Sequence, residues 1–251
     1  MTRFRDHFAP QAAQYAVFRP SYPATFIAHL ASLTEHHDQA WDVGTGSGQA
    51  AVLLAGHFAR VRATDASARQ LDHAVAHPNI EYAVAPAERS GLASASVDLV
   101  TIAQALHWFT PAPFHAEVAR VLRPGGVIVA WSYGLPSADA PIDAVIRWFY
   151  DVRIGSYWPA ERRHVESGYA DLPFPYEAID VGEWSLDASL TRAQFAGYIG
   201  TWSALRHARE AEGGDPLEEF TARLREAWPD HASRAVRWPM VVRAGRSGGG
   251  T

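Results

Sequence analysis

Apolar residues follow two rhythms in the first half of the chain. Short dense runs at 39–43, 61–64, 80–84, 97–103 and 127–131 alternate with stretches at 50–58, 67–76 and 114–122, where apolar positions recur every three or four residues. The first rhythm predicts strands and the second helices. The run at 97–103 is the most apolar, as expected of a strand covered on both faces of a parallel sheet. Ser67 is a candidate N-cap for the helix that follows it, and Arg123-Pro124-Gly125-Gly126 predicts a turn before the fifth strand. Strand and helix in strict alternation predict βαβ units, a doubly wound α/β architecture and right-handed crossovers.

The rhythm changes after Tyr133. A helix is predicted over 141–150, then an irregular stretch at 153–176 rich in proline and aromatics. A strand at 177–186, helices at 191–207 and 216–228, and a last strand at 235–243 interrupted by Pro239 complete the pattern. Helices inserted before the last strand would raise walls over the ligand edge of the sheet. The expected organisation is one domain over residues 1–245, with a core at about 35–135 and pocket-forming helices at about 1–33 and 136–230. The Gly/Ser-rich residues 246–251 are expected to form a flexible tail.

Composition narrows the function. A 48% hydrophobic and 20% charged chain of 251 residues reads as globular. A net charge of −5 without a basic run argues against a nucleic-acid partner. With no cysteine there is no disulfide or thiolate metal site, and no metal is expected. No apolar run reaches the ~20 residues that span a bilayer, so the expectation is a cytoplasmic enzyme without a membrane partner, monomeric or weakly dimeric. Nine tryptophans and nine tyrosines crowd toward the second half, which suits a pocket for a flat or greasy molecule, although packing also uses them.

The most informative segment is Asp42-Val43-Gly44-Thr45-Gly46-Ser47-Gly48, a strand-to-helix loop whose glycines let a ligand approach the backbone. A dinucleotide fold asks for a third glycine at position 49, where this chain has Gln49. Asp65 ends the second strand at the spacing of a carboxylate that clamps a ribose diol; its alternative role is an N-cap acid for the next helix. Ala87-Glu88 follows the third strand.

The Gly44/Gly46/Gly48 spacing with Asp42 two residues ahead resembles motif I of class I methyltransferases. With Asp65, Ala87-Glu88 and the Arg123–Gly126 turn, the resemblance spans 39–131. It implies a seven-stranded, mostly parallel Rossmann-like sheet with the last strand antiparallel. It also implies S-adenosyl-L-methionine as cofactor, with S-adenosyl-L-homocysteine as product. Asp42, Gly44, Thr45 and Gly46 would hold the methionine end, Asp65 and its neighbour Ala66 the ribose, Ala87 and Glu88 the adenine, and Gln104 the methyl end.

The string Gln104-Ala105-Leu106-His107-Trp108-Phe109 lacks the Asn/Asp-Pro-Pro-aromatic pattern of base-amino methyltransferases and resembles small-molecule enzymes of the type-11 domain. Tyr15-x-x-x-Arg19-Pro20-x-Tyr22-Pro23 and Tyr198-Ile199-Gly200-Thr201-Trp202-Ser203 are similar to segments of the trans-aconitate methyltransferase-like group. Under this resemblance Arg19, with Tyr15 beside it, is a candidate for the cofactor carboxylate; otherwise both pin an N-terminal helical lid to the core. His107 is a candidate base or substrate contact, or else a structural ring beside Trp108. Tyr22, Trp108, Trp131, Tyr133, Tyr198 and Trp202 are candidate pocket walls. Arg147, Arg153, Arg162, Arg163, His164 and Arg206 are cations that could pair an acceptor carboxylate, or simply be solvated. The expected activity is transfer of a methyl group to a small organic acceptor, at a carboxylate or hydroxyl oxygen. A silent cofactor-binding protein and a nicotinamide oxidoreductase remain the alternatives.

Overall fold

The computed structural model describes residues 20–230 and 232–248. Helix α1 (Ala24–Ser32) precedes β1 (Gln39–Val43), α2 (Gln49–Leu54), β2 (Arg60–Asp65), α3 (Ala68–Leu71), β3 (Ile80–Val84) and β4 (Val97–Ala103). Then come a 3-10 turn (Leu106–Trp108), α4 (Pro111–Val121) and β5 (Leu122–Tyr133). The second half holds α5 (Ala140–Arg147), a π-turn (Trp148–Arg153), α6 (Arg162–Glu166), β6 (Glu177–Ile179), β7 (Trp184–Leu190), α7 (Arg192–Ile199), α8 (Ser203–Glu212), α9 (Leu217–Ala227) and β8 (Arg234–Arg246).

The sheet runs β3-β2-β1-β4-β5-β8-β6, with β7 also on β8. Strands β1 to β5 are parallel and β8 is antiparallel to its neighbours. β6 and β7 occupy one lane: β6 pairs residues 244–246 of β8 and β7 pairs 234–240. The sheet is therefore the seven-stranded, doubly wound one expected from the sequence.

Alternate residues of the central strands feed two apolar layers. Leu99, Val127, Val129 and Trp131 face α1, α2 and the inserted helices, whereas Val100, Ile102, Ile128 and Ala130 face α4 and the 165–176 segment. Strand β1 is buried along its whole length, Asp42 included. Such a strand is tolerated only because its polar atoms find partners; the Trp41 indole N–H donates to the Thr64 hydroxyl (2.9 Å).

Several sequence expectations change. The helix expected over 67–76 is cut to α3, because Val75 is exposed and offers no apolar stripe to bury. The Ser67 side chain does not cap α3. The strand expected over 177–186 is broken where the Asp180 carboxylate accepts the Gly182 N–H in a tight turn. The helix expected over 191–207 stops at Gly200, and Trp202 leaves the helical path to pack against Tyr150, Trp158 and Tyr198. The Arg123–Gly126 segment is a bulge in β5: the register jumps from Leu122 to Val127 opposite Val97 and Leu99, and Arg123 pairs Asp98 and Asp38. Finally, β8 reaches Arg246, and the Ser247 N–H still donates to the Gly126 carbonyl, so the expected tail begins inside the sheet.

The helix expected over 141–150 is also divided. α5 widens after Arg147 into the π-turn, where the Ile154 N–H reaches the Phe149 carbonyl (3.0 Å). The extra residue in that turn lets both Phe149 and Tyr150 be buried.

Candidate active site

A parallel sheet directs the carboxyl ends of its strands to one edge, and that edge is where ligands bind in open α/β sheets. β1, β2, β3 and β4 end at Val43, Asp65, Val84 and Ala103, so the loops starting at Gly44, Ala66, Ala85 and Gln104 share this edge. It carries all the candidate cofactor residues except Tyr15 and Arg19, which lie outside the described residues.

The 44–48 loop is held from below and from the side. The buried Asp42 carboxylate accepts hydrogen bonds from the Thr45 hydroxyl (2.5 Å) and the Thr101 hydroxyl (2.7 Å). Burial pushes this carboxyl up to about 6, and the two hydroxyls oppose the rise only in part. Asp65 bridges two strand ends: one oxygen accepts the Gly46 N–H (2.9 Å) and the other the Ser67 N–H (2.8 Å). Asp65 thus closes a tight turn onto Ser67 and holds the glycine loop with one side chain, but it does not cap the helix that starts at Ala68.

Gly44 and Gly46 both have positive φ, but they are glycine for different reasons. A Cβ on Gly44 would lie 2.7 Å from the Ala105 Cβ and 3.2 Å from the Phe109 ring, so the loop packs directly on the segment after β4. A Cβ on Gly46 would meet only the Gln70 side-chain oxygen, at 3.9 Å. Gly46 thus presents open backbone beside the Asp65 carboxylate, the combination a nucleoside with a cationic amino-acid tail can use. Ala87 is buried, and the Glu88 carboxylate accepts the Thr110 N–H at the start of α4 (3.0 Å), leaving its second oxygen for a ligand.

Gln104 begins the segment beyond β4 with φ +59, a backbone conformation that costs a bulky residue energy and clusters at functional sites. Its N–H donates to the Trp131 carbonyl (2.9 Å), while its buried side-chain amide nitrogen has no protein acceptor among the described residues. The Trp131 indole nitrogen is likewise buried without an acceptor among them.

The aromatic candidates divide. Tyr22 and Phe26 stand edge-on to Trp131, and Tyr198 stands edge-on to Trp202 and Trp238. Trp131, Tyr133, Tyr198 and Trp202 belong to the main core, so ring-on-ring packing accounts for most of their surface. Trp108 and His107 lie on the other side, half-buried; the His107 ring is 4.6 Å from Trp108 and its Nδ1 is 3.2 Å from the Tyr169 hydroxyl. Burial, together with the charges of Arg162 and His164, pushes the His107 imidazole down to about 3. A ring so reluctant to take a proton suits the structural role beside Trp108 better than that of a general base.

Several proposed acceptor cations are already engaged. Arg153 is paired with Glu212 and Glu219, His164 with Asp171, and Arg206 with Glu210; Arg147 and Arg163 are exposed. Arg162 is different: its Nε donates to the Tyr150 hydroxyl (2.8 Å) and its guanidinium lies over the Trp158 ring. Ala105 and Phe109, which pack against Gly44, and Tyr150 and Trp158, which hold Arg162, were not among the expected site residues. Only the first two had a local signal, their place in the Gln104–Phe109 string. Among the described residues no group of three or more His, Asp or Glu side chains could hold a metal ion, and no helix is long and apolar enough to cross a membrane.

Comparison with known proteins agrees with this geometry. The type-11 methyltransferase-domain family model matches residues 41–130, the stretch that carries the loop, Asp65, Glu88 and Gln104. A protein of Dictyostelium discoideum described as a methyltransferase is 35% identical over 231 residues, covering 90% of this chain and 88% of that one. A yeast relative from Saccharomyces cerevisiae, whose name describes an S-adenosylmethionine-dependent methyltransferase, is 29% identical over 50% of this chain and 46% of its own. Among solved structures, one described as a type II methyltransferase from Anaeromyxobacter dehalogenans superposes with a TM-score of 0.87 at 43% identity, over 93% of this chain and 100% of that one. These relationships displace the nicotinamide reading, and with the strand order and the loop at its carboxyl edge they lead to one conclusion: the chain belongs to the class I methyltransferase family.

Proposed function

We propose that the protein transfers a methyl group from S-adenosyl-L-methionine to an oxygen of a small organic acceptor, a carboxylate ahead of a hydroxyl, as in the trans-aconitate methyltransferase-like group. The observation that carries the cofactor assignment is the open Gly46 backbone bridged by Asp65, above a buried Asp42. The name of the yeast relative supports the same cofactor. Core residues at about 35–135 hold the cofactor on this reading, and helices from 136–230 close the acceptor side. Arg19 and Tyr15 are proposed to meet the cofactor carboxylate from the N-terminal segment.

When bound, S-adenosyl-L-methionine supplies an activated methyl group on a cationic sulfur. The chain's own task is then positioning: Gly44 to Gly46 and Asp65 orient the donor, Ala87 and Glu88 border the adenine, and Gln104 faces the transfer point with an unpaired amide N–H. His107 stays neutral near pH 7 and contributes shape and a hydrogen bond. A carboxylate acceptor suits such a site, because it is already ionised near neutrality and needs no base. With the donor held by Gly44 to Gly46 and Asp65, the acceptor oxygen would take up the methyl group as the C–S bond gives its electron pair to sulfur, so that sulfonium plus carboxylate would become thioether plus ester.

Calorimetric titration with S-adenosyl-L-homocysteine tests the reading. Binding is expected, and Asp65→Ala should weaken it at least about tenfold, the worth of a lost charge-assisted hydrogen-bond pair. No binding by the wild-type protein, or affinity indifferent to Asp65→Ala, rejects it. Transfer is checked by mass spectrometry with methyl-labelled cofactor and a panel of acids and phenols.

A further inference from the structure

Most half-buried arginines of this protein end on a protein acceptor. Arg123, Arg153 and Arg209 are ion-paired, and Arg243 and Arg246 donate to backbone carbonyls. Arg162 does neither. It is half-buried, and no carboxylate of the described residues forms an ion pair with it. Its Nε–H is given to the Tyr150 hydroxyl, and both terminal nitrogens are left without a hydrogen-bond partner among the described residues.

The side chain is nonetheless held in place. Its guanidinium carbon is 4.8 Å from the Trp158 ring centre and 5.4 Å from that of Tyr150, stacking distances for a planar cation. Tyr150 accepts from Arg162 and donates its own proton to Glu166, so its hydroxyl is oriented on both sides. Tyr150 faces inward because it lies in the π-turn, and Trp158 rests on Trp202 behind it. A widened helical turn of this kind costs backbone regularity and recurs at functional sites.

The position matters as much as the pairing. Helix α6, which starts at Arg162, packs on the Leu106–Trp108 turn that directly follows Gln104. The Arg162 charge is felt at the His107 ring in that turn. A fixed, partly desolvated guanidinium with its fork free is complementary to a planar oxyanion, and a carboxylate can take both terminal N–H groups at once. Leaving such a cation without an anion is costly in a half-buried place, so the arrangement favours a ligand that completes it.

We infer that Arg162, stacked on Trp158 and oriented by Tyr150, is a carboxylate-binding subsite for the methyl acceptor, next to the Gln104–Trp108 segment. The inference rests on the proposed methyl-transfer reading and adds to it the charge of the substrate and the residue that selects for it.

The test uses full-length protein loaded with S-adenosyl-L-homocysteine. Benzoate, phenylacetate and succinate, each with its neutral amide, are titrated by calorimetry and by tryptophan fluorescence, into wild-type protein and the Arg162→Gln and Arg162→Lys variants. At least one carboxylate should bind the wild type and beat its amide by about ten- to hundredfold. Arg162→Gln should erase that preference, and Arg162→Lys should restore part of it, having charge without the fork. Affinity for S-adenosyl-L-homocysteine and the melting temperature should be unchanged in both variants. The inference is overturned if no carboxylate binds the loaded wild type, or if Arg162→Gln keeps the preference. A tenfold loss of S-adenosyl-L-homocysteine affinity in Arg162→Gln also overturns it, since Arg162 would then serve the cofactor's own carboxylate. Failure of the wild type to bind S-adenosyl-L-homocysteine at all instead refutes the methyl-transfer reading beneath it.

Discussion

Replacing Asp42 by Asn should make the protein more stable at neutral pH while impairing cofactor binding. The Asp42 carboxyl is fully buried and titrates at about 6 instead of 3.8. At about 1.36 kcal/mol per unit, that rise amounts to roughly 3 kcal/mol. The sign follows from proton linkage: the folded state holds the proton more tightly than the unfolded chain. The associated stability is therefore fully present below pH 3.8 and is lost as pH climbs through about 6. At pH 8 the wild-type protein carries the whole penalty of a buried anion. Asparagine has the same shape and never ionises. One threonine hydroxyl can still donate to its oxygen while the other turns to accept from its amide. Urea unfolding of both proteins at several pH values between about 4 and 8 isolates the effect, because any packing difference cancels in the pH dependence. The stability of Asp42→Asn relative to wild type should grow by about 2.4 kcal/mol across that range. A difference flat to within about 0.5 kcal/mol would refute the argument, since no ionisation penalty would then exist. The same substitution should lower affinity for the cationic donor S-adenosyl-L-methionine, and wild-type affinity should fall as pH drops below about 6 and Asp42 takes up its proton.

Two further outcomes follow from the same site. Gly44→Ala should cost about 2–4 kcal/mol by chemical denaturation, combining a positive φ with a collision against Ala105. Gly46→Ala should cost only about 1 kcal/mol, yet weaken S-adenosyl-L-homocysteine binding at least about tenfold, because its Cβ would point into open space used by the ligand. His107 should show no imidazole titration by NMR between about pH 5 and 8; a His107 midpoint above 5 would favour it as a base.

β1 and β4 coincide with their expected bounds, since a strand buried in a parallel sheet is apolar wherever it is read. The edge strand β3 also keeps its expected bounds, although no residue of it is buried. The errors fall where a local pattern met a non-local demand. Residues 191–207 read as one helix, but burying Trp202 among Tyr150, Trp158 and Tyr198 outweighs a few helical hydrogen bonds. From its residue type and place His107 is readable as a base or as a structural ring; its surroundings, assembled from segments more than fifty residues away, push its imidazole well below the usual range.

By itself the sequence determined the alternation of strands and helices, the glycine loop with its two aspartates, and the branch of chemistry they serve. These are properties of consecutive residues, set by side-chain period and backbone freedom. Only the tertiary structure decided what each polar group does. Asp42 acquires its raised pKa from burial beneath the loop, and Thr101, 59 residues along the chain, offsets part of that rise by donating to it. Arg162 becomes a stacked cation with no ion pair among the described residues because a π-turn and two aromatic rings converge on it. Desolvation and pairing depend on which distant segments close around a group, and no local pattern carries that information.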